Sequence, residues 1–122
     1  MIQGIDVVYI HSPHRELARW YAEVLGLRPA YGDEHWQEFE TSSGSRFAID
    51  VPAFPRSVVE KQPVMVSFRV DDIEAAVEAL AGKGVVFFPS REKAVFDVGP
   101  ALVATFQDLD GNWVQLSQPK QK

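Results

Sequence analysis

The sequence predicts an α+β fold built from two βαβββ modules. Three observations carry this expectation. The order strand, helix, three strands occurs twice along the 122 residues. Both predicted helices place apolar residues at the same i, i+3, i+4, i+7 and i+8 spacing, the signature of one buried helical face. A segment with three prolines and no clear period, residues 52–63, separates the two runs and reads as a linker.

Taken in order, GIDVVYI (4–10) is β-branched and aromatic, so it predicts a strand. Ser12-Pro13 reads as a helix N-cap followed by a proline at the first helical position, where a missing N–H does no harm. Leu17, Trp20, Tyr21, Val24 and Leu25 form the helical stripe, and Gly26 ends it. Strands follow near 28–32, 35–41 and 46–51, the last two joined by a polar turn at Ser42–Ser45. The second module opens with VMVSFRV (64–70) as a strand. Asp71 and Glu74 have the spacing of a capping box, and Ile73, Ala76, Val77, Leu80 and Ala81 repeat the stripe. Gly82 and Gly84 end that helix, and strands follow near 85–89, 94–97, 101–107 and 113–117. The last two are joined by Asp110-Gly111, which predicts a type I′ hairpin with both central residues at positive φ. The expected organisation is one domain, with module 1 at 1–51, the linker at 52–63 and module 2 at 64–118.

Composition narrows the function classes. The net charge is −5, which disfavours the basic footprint needed for nucleic acid or an anionic membrane surface. The chain has no apolar run long enough for a membrane span and no basic, cleavable leader at its start, so a soluble cytoplasmic protein is expected. With no cysteine, there is no disulfide, thiolate metal site or cysteine nucleophile. No glycine-rich phosphate loop, Gly-x-Ser-x-Gly elbow or His-Glu-x-x-His motif is present.

Three stretches carry a resemblance to a known family. WYAEVLGL (20–27), FRVDDIEAAVEALAGKGV (68–85) and DLDGNWVQL (108–116) occur in the order, and on the twofold pattern, of the vicinal oxygen chelate superfamily. That superfamily includes glyoxalase I, extradiol dioxygenases and the fosfomycin- and bleomycin-resistance proteins. The third stretch is similar to its Asp-Pro-Asp-Gly-Asn hairpin, with Leu109 in place of proline. The resemblance implies a glyoxalase-like fold in which two modules form a curved mixed sheet around a cleft, often in a homodimer.

Strand alternation assigns faces. Ile5, Val7 and Tyr9 are expected against the first helix, leaving Asp6, Val8 and Ile10 on the open face. Phe47, Ile49 and Val51 pack, leaving Arg46, Ala48 and Asp50. Val64, Val66, Phe68 and Val70 pack, leaving Met65, Ser67 and Arg69. On the last strand Val114 and Leu116 pack, leaving Trp113, Gln115 and Ser117. The expected ligand-binding cleft is therefore lined by Asp6, Trp36, Glu38, Asp50, Met65, Arg69, Trp113 and Gln115. Aromatic rings there suit a planar or apolar ligand, the carboxylates suit a cationic one, and Arg69 is a candidate anchor for an anion.

In metal-using relatives the ligands sit on the first and last strands of each module, and the resemblance carries those positions onto Asp6, Asp50, Met65 and Gln115. None of the four is histidine, and a methionine thioether is a poor ligand for Zn, Ni, Mn or Fe(II). His11, His14 and His35 lack metal-pair spacing and are expected to be solvated or locally hydrogen-bonded. The expectation is thus a small-molecule binding protein of the bleomycin-resistance type, with no metal or other cofactor and no catalytic residue assigned. The alternative is a metal-dependent lyase, isomerase or dioxygenase holding a divalent cation through Asp6, Asp50 and Gln115. A dimeric interaction module without a ligand is the third reading.

Overall fold

The computed structural model describes residues 1, 3, 5–51 and 64–120. The linker expected at 52–63 lies outside the described residues. The chain divides into two compact units, Met1–Val59 and Glu60–Lys122.

Unit 1 contains β1 (Val7–His11), α1 (Glu16–Glu23), β2 (Arg28–Gly32), β3 (Trp36–Glu40) and β4 (Arg46–Asp50). Its sheet has the order β1-β4-β3-β2, with β1 parallel to β4 and the other pairs antiparallel. The parallel pair needs a crossover, and the intervening α1 belongs to it. Leu17 and Tyr21 are the buried residues of the helix, and the Tyr21 ring lies 5.1 Å from that of Phe47 on β4. Phe39 stacks on Phe47 at 6.2 Å, and Ile49 is 1% exposed beside them. Burying side chains of this size stabilises the unit by about 1.5–3 kcal/mol each.

The start of α1 differs from the expectation. Arg15, not Ser12, is the N-cap, and no side chain caps it. The Ser12 hydroxyl instead donates to the His14 carbonyl at 2.8 Å and accepts from the His14 N–H at 3.3 Å. A serine that satisfies its near neighbours in a turn gives up the cap. At the other end Gly26, at φ +74°, lets the Leu27 N–H reach back to the Tyr21 carbonyl at 3.2 Å.

Unit 2 contains β5 (Val66–Arg69), α2 (Ile73–Gly82), β6 (Phe87–Phe88), β7 (Phe96–Asp97), β8 (Ala101–Gln107) and β9 (Trp113–Pro119). The sheet order is β5-β9-β8-β6, with β7 also on β8. Phe87 pairs with Phe106 and Phe96 with Val103, so β6 and β7 are two pieces of one strand position. Counted by position, the unit repeats the βαβββ order of unit 1. Asp72 rather than Asp71 caps α2, its carboxylate accepting from the Ala75 N–H at 3.1 Å. Val64, expected to pack, lies before β5 and is exposed.

The β8–β9 turn is not type I′. Among the described residues only glycines have positive φ, so Asp110 keeps negative φ while Gly111 sits at +86°. The organiser is Asp108, only 6% exposed. Its Oδ1 accepts from the N–H groups of Asp110 and Asn112, each at 2.9 Å, and its Oδ2 from the Asn112 side-chain amide at 2.9 Å. A short acidic side chain thus satisfies the loop's inward amides, an Asx turn in a five-residue connection.

Two ends of unit 2 are tied by Lys120, whose ammonium lies 2.7 Å from both carboxylate oxygens of Asp97. This contact, with help from the Gly99 N–H, holds the Asp97 carboxyl below the usual carboxylate range. A carboxylate with a lowered pKa contributes stability that is present above its unfolded pKa and is lost as pH falls through the folded one.

Two outcomes are expected. Lys120→Ala should raise the Asp97 pKa toward the ordinary aspartate value, as read by NMR titration; an unchanged value would remove Lys120 as the cause. Gly111→Val should cost about 1–3 kcal/mol in chemical denaturation, because a β-branched residue is strained at positive φ.

Candidate functional site

Each unit buries one sheet face under its helix and leaves the other open. In unit 1 the register decides which residues are which. Val8 pairs with Phe47 and Ile10 with Ile49, so Val8 and Ile10 share the helix face. Tyr9 pairs with Ala48 and His11 with Asp50, so Tyr9 and His11 share the open one. This reverses the expected assignment of β1. The run Val7–Ile10 is apolar on both faces and carries no alternation to read.

The open face of unit 1 is a connected set of side chains. Arg46 sits between Glu38 Oε1 and Asp6 Oδ2, with its guanidinium nitrogens 2.6 Å from each. The other Glu38 oxygen accepts from the Trp36 indole N–H at 3.1 Å. The Trp36 ring meets Tyr9 edge-on at 5.0 Å, and Tyr9 meets His11 at 5.7 Å. His11 Nδ1 lies 2.8 Å from Asp50 Oδ2. Of the expected site residues, Trp36, Glu38 and Asp50 therefore stand together on this face. Asp6 precedes β1, is exposed and touches the set through Arg46.

The His11–Asp50 pair escaped the sequence reading, because the two residues are 39 positions apart and only the parallel register joins them. The pairing has a chemical consequence. An ionised carboxylate can only accept, so the imidazole presents Nδ1 as its N–H. In the neutral ring this leaves Nε2 as an acceptor.

Unit 2 presents a second open face. Ser67 pairs with Gln115 across β5 and β9, and its hydroxyl donates to the Gln115 side-chain oxygen at 2.9 Å. Trp113 meets Phe88 edge-on at 4.9 Å. Arg69 lies opposite Ser117 in the same register, and Met65 sits just before β5, about half exposed. Met65, Arg69, Trp113 and Gln115 are thus all on or beside this face.

The four positions that the resemblance offers as metal donors are divided between the two units, and each oxygen-bearing side chain among them has a protein partner. Asp6 is bound to a guanidinium, Asp50 to an imidazole, and the Gln115 oxygen already accepts from Ser67. Met65 offers a thioether, which hard cations avoid. Among the described residues no three His, Asp or Glu side chains are grouped to hold a metal ion.

With this geometry in place, comparison with known proteins decides the family. The family model of the glyoxalase/bleomycin resistance protein/dioxygenase superfamily matches residues 7–116. The chain belongs to this superfamily. Solved structures of similar fold include a glyoxalase family protein from Bacillus anthracis, 21% identical, with TM-score 0.77 over 98% of each chain. A lactoylglutathione lyase from Agrobacterium tumefaciens is 13% identical, with TM-score 0.73 over 96% of this chain and 94% of its own. A glyoxalase/bleomycin resistance protein/dioxygenase from Nocardioides is 18% identical, with TM-score 0.74 over 99% of this chain and 86% of its own. These likenesses establish the glyoxalase-like fold. No curated protein sequence matches the chain. Among the described residues, no helix of this superfamily member is long and apolar enough to cross a membrane.

Arg46→Ala should cost about 1 kcal/mol or less in chemical denaturation, because both its ion pairs have partly solvated partners. A larger loss would mean that Glu38 depends on Arg46 for compensation of its charge.

Proposed function

We propose that this superfamily member binds a small planar cation against the open face of unit 1, without a metal. One observation carries the reading. Tyr9 and Trp36 form an edge-on aromatic pair, with Tyr9 about half exposed, flanked by the carboxylates of Glu38 and Asp50. Aromatic faces attract cations and planar ligands, and the carboxylates supply opposite charge. The Trp36–Glu38–Arg46 bonds hold the indole in place before a ligand arrives, which lowers the ordering cost of binding. His11 adds a hydrogen-bond acceptor for an N–H or O–H of the ligand.

The bleomycin-resistance branch of the superfamily, rather than its metal-dependent lyases and dioxygenases, is the better comparison for this chain. The support is the donor set: its carboxylates and glutamine oxygen are engaged with protein partners, and its fourth position is a thioether.

A thermal-shift screen against planar aromatic compounds, with cationic and neutral members, tests the reading. Cationic members should raise the melting temperature, and Tyr9→Ala should abolish the shift. A flat response across a broad panel counts against binding. A stoichiometric metal retained on purification and lost in Asp50→Ala would instead favour the metal-dependent alternative.

A further inference from the structure

In unit 1 lies a groove of about 470 Å³, lined in part by Trp36 and Val51. It runs between α1 and the β2–β3 hairpin. The helix wall is the stripe Arg15, Ala18, Arg19, Ala22, at i, i+3, i+4 and i+7. The two alanines are why the groove exists: larger side chains at 18 and 22 would fill it. Ile49 and Pro29 supply apolar lining, and Gln37 forms part of the opposite wall. The Gln37 amide is fixed by donating to the carbonyls of Tyr31 at 3.1 Å and Glu38 at 2.9 Å.

Charge is divided across the groove. The helix brings two guanidinium groups, while Asp33 and Glu34 stand in the facing hairpin turn. Neither arginine takes part in an ion pair among the described residues, although Glu16 also lines the groove. Glu16 lies 3.0 Å from His14 Nδ1 instead. On the hairpin side Asp33 Oδ1 accepts from the His35 N–H at 2.8 Å, and Glu34 is largely solvated, 3.9 Å from His35 Nε2.

We propose that this groove is a second ligand site and takes a zwitterionic molecule with an apolar body, in the manner of an amino acid or dipeptide. A simple anion would meet the arginines but also three carboxylates. A simple cation would meet the carboxylates but also the two guanidinium groups. A molecule with opposite charges at its two ends satisfies both walls in one orientation, carboxylate toward Arg15 and Arg19 and ammonium toward Asp33 and Glu34. Arginine forks suit a carboxylate bidentately. The volume falls at the low end of the range of small-molecule sites, about 300–1,000 Å³.

Calorimetric titration of the full chain with leucyl-leucine, its N-acetyl form and its C-terminal amide tests this. The free dipeptide should bind about tenfold more tightly than either capped form, a difference that reports both charges. Arg15→Gln/Arg19→Gln should remove that advantage with the circular dichroism spectrum and melting temperature unchanged. Ala22→Met, which fills the groove without altering a charge, should abolish binding. The proposal is overturned if the three forms bind equally, if neither variant weakens binding, or if the free dipeptide does not bind at millimolar concentration. Trp36 borders both this groove and the open face, whereas Tyr9 does not line the groove, so Tyr9→Ala should leave dipeptide binding intact and lets the two sites fail or succeed separately.

Discussion

The parallel pairing of β1 with β4 is the constraint on which the open face of unit 1 depends. Side chains alternate with a period of two, so one register decides every facing residue at once. Val8 and Ile10 are held beside Phe47 and Ile49 under α1. Tyr9 and His11 then have nowhere to go but the open face, beside Ala48 and Asp50. The aromatic pair and the His11–Asp50 contact are both consequences of that choice. A slip of one residue would turn Tyr9 and His11 to the helix face and expose the aliphatic Val8 and Ile10.

Much of this fold was legible because most strands carry a one-sided pattern. Trp113-Val-Gln-Leu-Ser117 alternates polar with apolar and lies as its pattern predicts, and in Arg46-Phe-Ala-Ile-Asp50 the end residues are the less buried ones, although Ala48 is buried along with Phe47 and Ile49. The helical stripes were equally plain, since Leu17, Tyr21, Ile73 and Val77 are buried as their spacing requires. Val7-Val-Tyr-Ile10 has no such asymmetry. Both of its faces are apolar, and which one turns to the helix is decided by a partner strand almost forty residues away. Local chemistry was the other weak point. Ser12, Asp71 and the Asp-Gly turn each matched a motif, but the bonds actually made belong to a His14 turn, an Asp72 cap and an Asp108 loop. At Asp71 and at the Asp-Gly turn a competing aspartate stands one or two residues away, and sequence does not say which wins.

Which residues share an open face within each unit was legible in the same uneven way. Trp36, Glu38 and Asp50 follow from alternation in β3 and β4, and Met65, Arg69, Trp113 and Gln115 from β5 and β9. His11 does not, because a histidine at a strand end has no pattern of its own. The signal that could have found it was available only in combination: if Val8 and Ile10 are placed under the helix, His11 falls opposite Asp50. A different face for one strand changes the chemistry attributed to the whole surface.

What the surface can bind is decided less by which polar residues it holds than by which are already engaged. Asp6, Glu38 and Arg46 form a chain in which one guanidinium serves two carboxylates. Asp50 is turned to His11, and Gln115 to Ser67. A divalent cation held by any of these oxygens would have to displace such partners and strip its own water. A planar organic cation asks for none of that. It can lie against Tyr9 and Trp36 while the carboxylates remain bonded as they are, because their charge acts over several ångströms without coordination. The bonds from Trp36 to Glu38 and from Glu38 to Arg46 keep the indole in position for a ligand of the proposed kind.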